Sequence, residues 1–112
     1  MNAENRRSKR RAVEGVVPVT DAMTGTPMGR IGNLSIDGIM LITSVPIRED
    51  ALYQVSFPFP PTPGAPQQTI EIGLHEQWSE AGGVPGQYWA GFRIVDISPA
   101  DRARLKAWIE QG

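Results

Sequence analysis

The chain of 112 residues has no cysteine and a single histidine, His75. Disulfide staples and thiolate zinc sites are therefore excluded. One histidine cannot build a multi-histidine metal centre. The acidic residues are scattered singly apart from Glu49-Asp50, without the spacing of a calcium loop. No bound metal or cofactor is expected. No base, nucleophile and orienting group recur in a catalytic arrangement, so no enzymatic activity is expected either. His75 reads as a surface or sheet-edge residue. Apolar runs stay far short of the roughly 20 residues that span a bilayer. The basic start is not followed by an apolar segment of signal-peptide type. These absences lead to the expectation of a cytoplasmic protein without membrane insertion.

What is present is an uneven distribution of charge. Five of the eleven basic residues lie in the first eleven positions, in the run Arg6-Arg7-Ser8-Lys9-Arg10-Arg11. With Glu4 the formal charge of that arm is +4, and the remaining 101 residues carry −5. A cationic arm on an acidic body suits closure over a compact anion. It suits a long nucleic acid poorly, because the polyanion meets repulsion beyond the arm. Arginine grips phosphate through paired, charge-assisted hydrogen bonds. The plainer reading is a solvated basic tail. Residues 1–11 read as a flexible arm, poor in core-forming side chains, and residues 12–112 as one folded domain.

Along that domain, twelve glycines and ten prolines punctuate short apolar segments. Strands are expected over 13–20, 28–34, 39–43, 52–59, 69–78 and 87–97. Alternation places Tyr53, Val55, Phe57 and Phe59 on one face, then Ile70, Ile72 and Leu74, then Tyr88, Ala90, Phe92 and Ile94. Proline- and glycine-rich loops are expected at 58–66 and 80–86. The period then changes. Ser98 suits an N-cap, Pro99 the first helical position, and Leu105, Trp108 and Ile109 share a face of a helix over about 99–110. Six short strands and a terminal helix indicate an all-β fold, a small closed or nearly closed antiparallel barrel. Trp89 and Trp108 read as packing residues.

The second polar motif is Asn33-Leu34-Ser35-Ile36-Asp37-Gly38, about twenty residues after the first. Asn33 and Ser35 suit a turn that bonds its own backbone, and Gly38 suits a position with positive φ. The same groups can present donors and acceptors to a purine edge.

Taken together, the two motifs resemble those of the PilZ domain family of cyclic di-GMP receptors. That family carries R-x-x-x-R, often extended to R-R-x-x-x-R, and then D/N-x-S-x-x-G. Here Arg6-Arg7 with Arg11 matches the extended first motif, and Asn33, Ser35 and Gly38 match the second. Arg6 and Arg10 are also four apart. The register of Arg7 and Arg11 is preferred, because Ala12-Val13 then leads into the first strand where the family places it. The segments 39–41, 89–97 and 98–109 resemble the family's later strands and closing helix.

The resemblance implies a six-stranded antiparallel β-barrel of PilZ type with a C-terminal α-helix. It implies cyclic di-GMP as ligand, with Arg7 and Arg11 on phosphates and guanine faces, Arg6 adding a contact, and Asn33, Ser35 and Gly38 lining the guanine surface. Arg10 and Trp78 are secondary candidates, Trp78 as a ring beside the ligand and otherwise as a core residue. With no output domain in the sequence, the resemblance implies signalling to an unidentified downstream protein. The alternative is a PilZ-like adaptor of pilus or flagellar function that binds no nucleotide.

Overall fold

The computed structural model describes residues 9–61, 66 and 68–112. Arg6, Arg7 and part of the loop expected at 58–66 lie outside the described residues. Among the described residues seven strands and one helix follow in the order β1 (Arg10–Ala12), β2 (Pro18–Asp21), β3 (Pro27–Ser35), β4 (Gly38–Thr43), β5 (Leu52–Phe59), β6 (Gln68–Ala81), β7 (Tyr88–Asp96) and α1 (Pro99–Gln111).

Strands β2 to β7 close a six-stranded antiparallel barrel, in the cyclic order β3-β2-β5-β6-β7-β4 with β4 returning to β3. The expected fold class is therefore the observed one. Strand β1 is an addition to it. β3 pairs with β2 over Pro27 to Arg30 and with β1 over Asn33 to Ser35. One long strand thus serves two short partners on the same edge.

The expected first strand over 13–20 is displaced at both ends. Gly15 has φ +76° and interrupts extended backbone, so pairing begins earlier, at Arg10, and resumes at Pro18. Arg10 and Arg11, expected in the flexible arm, are strand residues in the structure. β6 also runs further than expected. It extends through Glu80 and Ala81, because residues up to Ala81 continue to pair with β7.

The alternation read in the sequence fills the barrel. Val55, Phe57, Phe59, Ile70, Ile72, Leu74, Ala90 and Phe92 are buried together with Ile31, Leu34, Ile39 and Leu41. Burial of this apolar surface, worth about 25 cal/mol per Å², is the main stabilising term. The helix closes one side of this core. Ser98 caps it, its Oγ accepting from the Asp101 amide at 3.1 Å, and Pro99 opens the first turn. Leu105, Trp108 and Ile109 are buried, and the Trp108 ring meets Phe59 edge-on at 6.0 Å between centroids. A helix of this length is marginal in isolation, so these contacts hold it.

Candidate functional site

Strand alternation sorts the basic run of β1 into two directions. Arg10 faces the outer surface of the barrel, where its Nη1 donates to Oδ1 of Asn33 at 2.7 Å. Arg11 turns the other way. Its guanidinium carbon lies 4.2 Å above the centre of the Trp108 ring, and its Nη1 donates to the Trp108 carbonyl. Lys9 adds a hydrogen bond from Nζ to the Gly112 carbonyl at 3.3 Å. The last turn of α1 has no basic residue of its own. Lys9 and Arg11 supply positive charge to that carbonyl end from a separate element.

The second motif forms the β3–β4 turn. Ser35 is fully buried, and its hydroxyl is shared between the Gly38 carbonyl and Oδ1 of Asp37, each at 3.2 Å. Ser35 therefore sets the turn from beneath and presents no side-chain surface. The Asp37 carbonyl accepts from the Ile94 amide at 2.9 Å, and Nη1 of Arg102 reaches the Ile36 carbonyl at 3.4 Å. The turn is tied to both β7 and the helix.

Gly38 does not have the positive φ expected from the sequence; it is not among the glycines in that region. Its requirement is one of space. A Cβ at residue 38 would stand 3.0 Å from Nη2 of Arg10 and 3.1 Å from the Phe92 carbonyl. The absent side chain leaves the place that the Arg10 guanidinium occupies.

A neighbouring glycine works in the same way. Gly91 of β7 pairs with Trp78 of β6, and a Cβ there would stand 2.1 Å from the indole Nε1. The ring is thus laid over the glycine, as aromatic side chains cover strand glycines elsewhere. Trp78 is 46% exposed and so is not a core residue. Trp89, expected to pack, is also on the outer face and 37% exposed.

Arg10, Asn33, Met40, Trp78 and Gly91 line one shallow cleft of about 260 Å³. The structure thus brings together Arg10, Asn33 and Trp78, with Gly38 adjoining and Ser35 beneath. It places Arg11 against the helix instead. Met40 carried no polar signal, but it pairs directly with Asn33 and Gly91 on the neighbouring strands, so the strand register locates it. A larger hollow of about 460 Å³ lies elsewhere, lined by Glu49, Asp50, His75, Glu76 and Gln77. There Nε2 of His75 meets Oδ1 of Asp50 at 2.6 Å. Its acidic lining is unsuited to an anion.

In the cleft the electrostatics favour one. Arg10 is bonded to a neutral amide, and among the described residues it makes no ion pair. Its full charge faces solvent beside an aromatic plane.

The PilZ domain profile matches residues 4–111 of this sequence. The chain belongs to the PilZ domain family. PilZ domains are non-catalytic ligand-binding or adaptor modules. Among curated proteins, none matches the sequence.

Solved structures share the PilZ fold at low identity. The Bacillus subtilis inhibitor of motility MotI/DgrA superposes with a TM-score of 0.76 at 13% identity, over 95% of this chain and 49% of the other. The K. pneumonia MrkH–c-di-GMP complex gives 0.69 at 16% identity, over 95% and 51%. The PilZ domain of YcgR from Escherichia coli, solved with c-di-GMP, gives 0.61 at 16% identity, over 95% and 89%. The chain spans about half the length of the first two. Among the described residues no helix is long and apolar enough to cross a membrane.

Proposed function

We propose that this PilZ domain is a cytoplasmic receptor for cyclic di-GMP that transmits binding to a partner protein through a change of shape. The observation that carries this reading is the Arg10–Asn33 contact over Gly38, which joins both motifs in a cleft walled by Trp78. A guanidinium without a carboxylate partner among the described residues supplies charge-assisted bonds to a phosphate or a stacking plane for guanine. The Trp78 indole offers a second plane, and Asn33 an amide for a purine edge. Two of the superposable structures contain this ligand.

Within this reading the first motif takes the register of Arg6 and Arg10. Arg11 is committed to Trp108. Arg6 precedes Arg10 by four residues and completes R-x-x-x-R. Arg7 holds the same relation to Arg11. Ser35 and Gly38 act by building the turn and making room for Arg10.

Calorimetric titration tests the proposal and gives stoichiometry as well. Cyclic di-GMP should bind well above GMP, GTP or short DNA at physiological salt. No heat with the dinucleotide would reject the receptor reading and leave the nucleotide-free adaptor, and equal affinity for DNA would reject it in favour of non-specific anion binding.

A further inference from the structure

Arg93 belongs to neither motif, yet the barrel sets it at the edge of the cleft. It lies on β7 between the buried Phe92 and the half-buried Ile94, and its own side chain is exposed. Its cross-strand partner on β4 is Gly38. Directly paired residues of antiparallel strands point to the same face. Ile39 and Phe92, the next pair, are both buried, so Gly38 and Arg93 both face outward.

That outward direction at Gly38 is where the Arg10 guanidinium lies, 3.0 Å from the place of the missing Cβ. Cross-strand Cβ atoms stand about 4.5–5.5 Å apart. Nη2 of Arg10 is therefore within about 9 Å of the Cβ of Arg93. The stem of Arg93 starts on one side of Gly38, and the tip of Arg10 rests over it from the other. Among the described residues the Arg93 side chain makes no ion pair. Asp96, the nearest carboxylate in sequence, makes no ion pair with it, and the carboxylate of Asp37, beside its partner Gly38, accepts from the Ser35 hydroxyl. His75, the neighbour of Arg93 on β6, is bonded to Asp50 on the far side.

Two arginines bracketing a glycine, neither neutralised by a carboxylate partner among the described residues, repel each other. A shared anion relieves that repulsion. A planar fork on each side of the gap suits a ligand with two phosphates held apart by a rigid ring. We propose that Arg93 is a second phosphate-binding residue of the cleft, taking one phosphate of a cyclic dinucleotide while Arg10 engages the other end of the ligand. The inference rests on the receptor reading above.

The test titrates cyclic di-GMP into the wild-type chain, Arg93→Gln, Arg93→Lys and, as an exposed control on the helix, Lys106→Gln. Loss of one charge-assisted contact is expected to weaken binding about ten-fold or more in Arg93→Gln. Arg93→Lys should recover part of it, and Lys106→Gln should match the wild type. The gap between wild type and Arg93→Gln should narrow at 1 M salt, where screening acts within about 3 Å. A purely structural role would not give that salt dependence. In the wild type the Arg93 Nε–H resonance should shift on saturation. Wild-type affinity in Arg93→Gln, with an unmoved Arg93 resonance, overturns the inference while the receptor reading stands. Failure of the wild type to bind overturns both.

Discussion

Nη1 of Arg10 donates to Oδ1 of Asn33 at 2.7 Å, so a single hydrogen bond joins two motifs 23 residues apart in sequence. The contact is possible because β1 pairs with the end of β3, Ala12 opposite Asn33 and Arg10 opposite Ser35. An arginine from the arm thereby becomes part of a rigid surface.

Arg10→Ala and Arg11→Ala should separate cleanly. Removal of the Arg10 guanidinium is expected to lower cyclic di-GMP affinity about 10- to 150-fold while the denaturation midpoint changes little. Arg11→Ala removes a stacked guanidinium and a helix-end hydrogen bond, and should cost about 1–2 kcal/mol of stability. Its effect on affinity should be the smaller one. Urea denaturation and calorimetry on both variants decide the matter; the reverse pattern would restore Arg11 to the site.

Gly38→Ala should weaken binding without unfolding the domain. The added methyl meets Nη2 of Arg10 and the Phe92 carbonyl, and the flexible guanidinium is the group that can move. The Nε–H resonance of Arg10 is expected to change in the free protein, with at least a ten-fold loss of affinity. An undisturbed Arg10 would show that Gly38 serves another purpose.

Trp78 should report the ligand directly. Base stacking on an aromatic ring is worth about 1–3 kcal/mol, so Trp78→Ala should lower affinity by about 5- to 150-fold. Gly91→Ala, whose methyl would collide with the indole, should reproduce much of that loss. Tryptophan fluorescence of the wild type should alter on titration, and the change should vanish in Trp78→Ala.

At the helix, Ser98→Ala removes the cap bond to Asp101 and should destabilise by about 1 kcal/mol. Leu105→Ala opens a cavity beneath a residue that is 2% exposed, with an expected cost of about 2–5 kcal/mol. Chemical denaturation measures both. A Leu105 variant as stable as the wild type would mean that the helix is not part of the cooperative core.

The barrel and its helix were legible because burial writes a period into the chain. Val55, Phe57 and Phe59 alternate inward, and the cap at Ser98 marks the change to helical spacing. The facing of the arginines was not legible. Both Arg6–Arg10 and Arg7–Arg11 have the motif spacing, and the choice depends on where β1 starts, which the polar arm does not announce. The glycine at 38 was legible as necessary but for a different reason, since its φ is ordinary and its neighbour across the strands is what excludes a side chain. Met40 carries no chemical signal and joins the cleft through register alone.

The doublet at positions 10 and 11 has one more property. A shift of one residue in strand pairing exchanges the two faces of a strand. In most strands that exchange destroys the surface, but a slip that brings Arg11 opposite Ser35 would still set an arginine beside Asn33, while Ala12 would replace the arginine at Trp108. The doublet at 6 and 7 would move with it and keep the spacing of four. What resists the shift is the following pair. Val13 packs against the core, and its amide donates to the Gly32 carbonyl at 3.1 Å, whereas Ala12 is exposed. An arginine beside Asn33 thus survives this misalignment, the contact with Trp108 does not, and the packing of Val13 opposes the slip.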